Sequence, residues 1–130
     1  ADLRHEYPDV MASVTLSVLT LMFTPVERRH QILTAMFTHT VPGGVVILVE
    51  KVLGSNAVMN AVLQELYEAH KRQMGYTQEE IDRKRLSLEG VLVPLTASWN
   101  EQLLHDVGFH HVECVWRCLN FVGWVGVKEG

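Results

Sequence analysis

An α/β fold built on parallel strands is predicted by three features of this sequence. Two almost wholly apolar runs, residues 10–19 (VMASVTLSVL) and residues 45–52 (VVILVEKV), flank a single amphipathic helical stretch. Capping-box signals for a helix start recur at Thr24-Pro25-Val26-Glu27, Thr77-Gln78-Glu79-Glu80 and Ser98-Trp99-Asn100-Glu101. The C-terminal part then returns to strand-like segments, HHVECVWRCLN and GWVGVKE.

Residues 10–19 are rich in Val, Leu, Thr and Ser and read as a strand buried on both faces. A helix opens at Thr24: its hydroxyl can cap, Pro25 suits a first turn that needs no N–H, and Glu27 completes the box. Val26, Leu33 and Phe37, with Ile32 and Met36 beside them, supply the apolar stripe. Pro42-Gly43-Gly44 ends this excursion, and residues 45–52 form the next strand. Strand, helix and strand of this continuous apolar kind make a βαβ unit with a right-handed crossover.

Residues 57–73 place Val58, Val62, Leu66 and Ala69 at helical spacing, and Gly75 stops that helix. The box at Thr77 starts a charged helix ending at Gly90, and the box at Ser98 starts a short one through Leu103, Leu104 and Val107 to Gly108. Two last strands, joined through Phe121 to Gly123, are expected to pair as an antiparallel hairpin at the edge of the sheet. Period-two spacing puts Val112, Cys114, Trp116 and Cys118 on one face, with Trp116 and Trp124 in the core or at the sheet edge.

A chain of 130 residues makes one domain at most, able to bury about two thirds of its unfolded surface. At 48% apolar and 20% charged it matches a globular chain, and no apolar run approaches the ~20 residues that span a bilayer. The opening ADLRHEYPDV lacks the basic start and apolar centre of a secretory signal. Cys114 and Cys118 are too few and too close for a disulfide framework or a zinc site, so a cytoplasmic setting is expected. A net charge of −4 argues against direct nucleic-acid binding by bulk electrostatics. The basic clusters Lys71-Arg72 and Arg83-Lys84-Arg85 face Glu65, Glu68, Glu79, Glu80 and Asp82, as solvated helix faces with ion pairs would. The histidines show no H-x-x-x-H spacing, and His110 and His111 would point to opposite faces of a strand, so no metal is expected.

Over residues 12–130 the order of elements, with Pro-Gly-Gly before one strand and LLHDVGF before the last hairpin, resembles the C-terminal half of class I S-adenosylmethionine-dependent methyltransferases. Within that superfamily, SVLTLMFTPVERR, VPGGVVILVEK, KRQMGYTQEEIDRKRLSLEGVLVPLT and LLHDVGFHHVECVWRCLNFVG together resemble the carboxy-S-adenosylmethionine synthases. Those enzymes make a carboxylated cofactor for wobble-uridine modification of tRNA. The resemblance implies a Rossmann-like sheet, S-adenosylmethionine or carboxy-S-adenosylmethionine as cofactor and prephenate as carboxyl donor. It also implies a homodimer whose interface contains a helical insertion over about residues 56–90.

By the same resemblance, Arg85 reaches into the partner's site to bind the added carboxylate, Tyr76 offers a hydroxyl nearby, and Ser17 lines the pocket close to the transferred group. A guanidinium suits that task because it grips a carboxylate with two parallel charge-assisted hydrogen bonds, which lysine cannot copy. The competing structural readings are an ion pair of Arg85 with Asp82 or Glu89, a Tyr76 ring packed behind Gly75, and a Ser17 hydroxyl bonded to backbone. Glu50 and Lys51 end a strand at the same rim, facing either a ligand or each other as a surface pair. No catalytic residue is identified.

The family's glycine-rich cofactor loop and ribose-binding acid have no counterpart, since the sequence holds no G-x-G. Its opening resembles the segment between the family's third and fourth strands, with Asp2 beginning the loop beside the adenine. The chain is therefore expected to be a later portion of a longer enzyme, inactive alone, whose exposed first strand pairs with another copy. A split-gene product, an ordinary small-molecule methyltransferase using Arg85 on a substrate acid, and a non-catalytic oligomeric module are the other readings.

Overall fold

The computed structural model describes residues 7–130; Asp2 and His5 lie outside the described residues. The elements are β1 (Ala12–Val18), a 3₁₀ turn (Leu21–Phe23), α1 (Val26–Thr38), β2 (Thr40–Leu53), α2 (Ala57–Gln73), α3 (Gln78–Leu88), the short β3 (Leu95–Thr96), α4 (Ala97–Asp106), β4 (His111–Cys118) and β5 (Phe121–Val127).

β1 and β2 run parallel across α1, with Val14 opposite Val45 and Val18 opposite Val49, which is the expected βαβ unit. The sheet order is β1-β2-β5-β4, with β3 pairing β2. β5 is antiparallel to both β2 and β4. The hairpin is thus not wholly at the edge: β5 is inserted beside β2, and only β4 lies outside. Burial explains the choice, because Val122, Gly123, Trp124 and Gly126 of β5 are buried while most of β4 is exposed. The connecting turn is Leu119-Asn120, earlier than expected, with Leu119 at φ 52°.

A bulge between Cys114 and Trp116 also breaks the expected common face of β4. Cys114 sits opposite Trp124 and Trp116 opposite Gly123, so Trp116 and Cys118 point away from the side shared by Val112 and Cys114. β2 in turn starts before Val45. Pro42-Gly43-Gly44 lies inside it as an irregularity, the register jumping from Ala12↔Thr40 to Val14↔Val45, with Gly43 at φ 81°. Gly43 N–H donates to Lys128 O and Lys128 N–H to Gly44 O, tying this kink to the end of β5.

Of the three helix-start signals, the one at Thr77 forms a full capping box with Glu80. Thr24 does not cap α1; its hydroxyl lies 3.4 Å from Thr20 O, and Pro25 takes the cap position. α4 is capped by Thr96, whose Oγ1 accepts from Trp99 N–H at 3.2 Å, so Ser98 is already helical.

α1 and α4 cover one face of the sheet, where Leu33, Val46, Leu48, Leu104, Phe109 and Trp124 are fully buried. The opposite face is open. Val14, Leu16 and Val18 of β1 are 55%, 65% and 52% exposed, which corrects the expectation of a strand buried on both sides. α2 buries no residue either, leaving Val58, Val62 and Leu66 of its apolar stripe in solvent. Among the described residues no helix is long and apolar enough to cross a membrane.

Candidate functional site

Because β1 and β2 are parallel, their C-terminal ends meet at one rim, the place where open α/β sheets bind ligands. The chain leaves β1 through Leu19, a non-glycine residue held at φ 52°, and folds at once into the 3₁₀ turn. A branched side chain at positive φ is costly and persists only where neighbours enforce it. Glu50 is one such neighbour. It is 2% exposed, its Oε1 accepting from Leu21 N–H at 2.9 Å and its Oε2 from Met22 N–H at 3.1 Å. Burial pushes its carboxyl up to about 7, opposed by those amides and by the positive charge of Arg29.

Glu50 and Lys51 therefore do not form a surface pair. Strand alternation sends Glu50 inward with Val46 and Leu48 and turns Lys51 outward, where its ammonium lies 4.7 Å from the centre of the Tyr67 ring. Lys71 approaches the same ring at 5.0 Å. Burial, followed by the charge of Lys71, pulls the Lys51 ammonium below its usual range.

A cavity of about 310 Å³ opens between this rim and the two helices α2 and α3. Lys51, Tyr67, Glu68, Lys71, Lys84, Arg85 and Glu89 surround it over an apolar floor of Ile81, Leu88 and Leu92. Arg85 Nη1 lies 3.2 Å from Glu68 and its Nη2 3.0 Å from Asp82. The guanidinium is thus at once a cavity wall and half of an ion-pair network, with Glu68 rather than Glu89 as the second partner.

Tyr76 is half-exposed beside a neighbouring hollow that shares Lys71, Ile81 and Lys84 with the first, its ring 5.4 Å from Lys71 Nζ. Ser17 lines neither hollow. It is 3% exposed on the inward side of β1, and its Oγ has no hydrogen-bond partner among the described residues, so the backbone-bonded reading does not hold there. Arg85 and Tyr76 line adjoining hollows on either side of Lys71, Ile81 and Lys84, whereas Ser17 faces inward from β1. Among the described residues no group of three or more His, Cys, Asp or Glu could hold a metal ion.

Arg29 was not singled out from the sequence. It is 2% exposed, with Nε donating to Thr24 O at 3.0 Å and Nη2 to Met22 O at 3.4 Å and Val93 O at 2.6 Å. Its helical offset from Ile32, Leu33 and Met36 places it on the buried stripe, and that was the available signal. Strand parity offered the same clue for Glu50.

With four cations against two carboxylates, the cavity wall suits an acidic ligand whose body rests on aliphatic surface. No family model matches the chain. A carboxy-S-adenosyl-L-methionine synthase of Desulforapulum autotrophicum is 38% identical over 117 residues, covering 90% of this chain and 47% of that protein. The Methylococcus capsulatus protein of the same name is 38% identical over 128 residues, covering 98% and 53%. The chain therefore spans about half the length of these curated relatives.

Among solved structures, the S-adenosylmethionine-dependent methyltransferase SibL, in its apo form, superimposes with a TM-score of 0.64 at 13% identity, over 100% of this chain and 35% of that one. Human N-acetylserotonin methyltransferase in complex with SAM gives 0.63 at 14%, over 100% and 33%. The chain thus has the Rossmann-like fold of S-adenosylmethionine-dependent methyltransferases, and its sequence is similar to the carboxy-S-adenosyl-L-methionine synthases over nearly its whole length and about half of theirs.

Proposed function

We propose that this chain works as part of a methyltransferase-like enzyme that binds S-adenosylmethionine at the sheet rim and forms or uses carboxy-S-adenosylmethionine in the service of tRNA modification. The observation that carries this reading is Arg85, placed by α3 on the wall of a cavity whose other side is Lys51, at the C-terminal end of β2. The residues present fit a carboxylate-bearing cofactor: guanidinium and ammonium groups converge on the cavity above an aliphatic floor. When bound, the cofactor supplies an electrophilic carbon on its sulfonium.

In this reading Arg85 binds the added carboxylate after releasing Glu68 or Asp82. Tyr76 contributes from the adjoining hollow, and the orphaned Ser17 hydroxyl meets a polar group on the inward side of β1. Alignment of the reacting groups is the main demand of methyl transfer from a sulfonium, so that step asks for no strong acid–base pair. A second copy is expected to dock on the uncovered α2 stripe of Val58, Val62 and Leu66, giving a homodimer in which the insertion approaches a neighbouring rim. The reading places the enzyme in the cytoplasm.

Calorimetry with S-adenosylmethionine and its carboxylated form is the test. Preference for the carboxylated form, abolished in Arg85→Ala, supports the proposal. Equal binding of the two points to an ordinary small-molecule methyltransferase, and binding of neither to a non-catalytic module.

A further inference from the structure

The rim turn and the way out of the helical insertion are joined by a buried pair of charges. From β2, Glu50 holds the Leu21 and Met22 amides from below. From α1, Arg29 holds the carbonyls of Met22 and Thr24 from the other side. The same guanidinium reaches 2.6 Å to Val93 O, and Val93 N–H donates back to Met22 O at 2.9 Å. Val93 lies on the path from α3 to β3, so its position sets where the insertion returns to the sheet. Neither charge is exposed, and each is matched by backbone groups of opposite polarity.

We propose that Glu50 and Arg29 are a positioning pair that locks the strained turn after β1 to the segment by which the insertion returns to the sheet, so that the rim turn and the Leu92 side of the cavity move as one body. That the cavity holds a ligand rests on the function proposed above, while the mechanical coupling stands on the hydrogen bonds alone. Its physical basis is that a carboxylate with two oxygens and a guanidinium with a fixed fork each satisfy several backbone groups simultaneously. Loss of one member leaves buried amides or carbonyls without partners and frees the segment it no longer holds.

Among the described residues, Arg29 is the charged side chain whose field acts on Glu50. The residue opposite it on β5 is Val122, and Glu101 of α4 accepts from Trp124 Nε1–H at 3.0 Å.

Amide hydrogen exchange read residue by residue tests the coupling without any ligand. Measured above pH 7, where the Glu50 carboxyl is ionised, Glu50→Gln keeps the shape but offers one acceptor oxygen, and exchange at Val93, whose hydrogen bonds run to Met22 and Arg29, is expected to quicken about tenfold along with Leu21 and Met22. Arg29→Lys keeps the charge but not the fork, and should quicken Leu21 and Met22 reciprocally by a similar factor. Amides in the core of α1 and β2, such as Leu33 and Leu48, serve as the control for intact folding. Faster exchange at Leu21 and Met22 with Val93 unchanged would overturn the proposal.

Should either variant not fold, the wild-type chain provides the second reading. Opening the turn hydrates Glu50 and releases its proton. Exchange at Leu21, Met22 and Val93 should therefore exceed the ordinary pH dependence by more than about tenfold between pH 5 and pH 8, all three in step. Three amides following separate pH courses would equally refute it. Affinity for S-adenosylmethionine is measured on the same samples, so absence of binding counts against the ligand reading and leaves the exchange result to decide the coupling.

Discussion

Arg85 Nη1 stands 3.2 Å from Glu68 Oε1 while its Nη2 holds Asp82 at 3.0 Å, so the guanidinium that walls the cavity is already partnered on the protein. An acidic ligand has to exchange with these carboxylates. Glu68→Gln removes one competitor and is expected to tighten binding of the carboxylated cofactor severalfold in calorimetry, whereas Arg85→Lys should lose most of the preference for it. Folding stability should change by no more than about 1 kcal/mol in Arg85→Lys, because the Arg85 side chain is half in water. A larger loss in urea melts would show that Arg85 is structural.

The raised carboxyl of Glu50 gives stability a defined pH course. Its folded value is about 7 against an ordinary 4.5, so the folded protein holds this proton more tightly than the unfolded chain. Its contribution is complete below about pH 4.5 and disappears as pH rises through about 7, a difference of ~3 kcal/mol. Urea denaturation at pH 5 and pH 8 should show that decline in the wild type and a much flatter profile in Glu50→Gln. Parallel profiles would mean that the carboxyl is not buried in solution.

Gly54 closes the step from β2 into α2. A Cβ there would collide with the backbone nitrogen of Asn60, while Gly54 N–H donates to Asn60 Oδ1 at 2.8 Å. Gly54→Ala is expected to cost roughly 2–3 kcal/mol, since the obstruction is main chain and must be relieved by moving the first turn of α2. Chemical denaturation measures the loss, and a change below about 0.5 kcal/mol would contradict the close packing.

Leu16 lies 65% exposed between Val14 and Val18 on the open face of an edge strand. Such an apolar edge invites pairing with another strand. Leu16→Lys should lower self-association in sedimentation velocity by about tenfold or more in dissociation constant, whereas Val62→Lys on α2 tests the separate helical contact. Association lost in the second variant alone would assign the dimer to the insertion.

The βαβ unit, the limits of α2 and the capping box at Thr77 were legible in the chain because each depends on near neighbours: residue spacing, a hydroxyl three residues from a glutamate, a glycine at positive φ. The resemblance that singled out Arg85 and Tyr76 was likewise carried by short contiguous segments. Ser98 misled because Thr96, two residues earlier, can cap the same turn, and the short β3 pairing with β2 ends at that residue. The place of β5 between β2 and β4, the kink at Pro42-Gly43-Gly44 and the bulge at Val115 belong to strands meeting across long stretches of chain. No local pattern encodes which edge a strand will occupy. Glu50 and Arg29 show the same division most sharply: period and parity mark both as inward-facing, but only packing brings β2, α1, the rim turn and Val93 together and makes two buried charges tolerable.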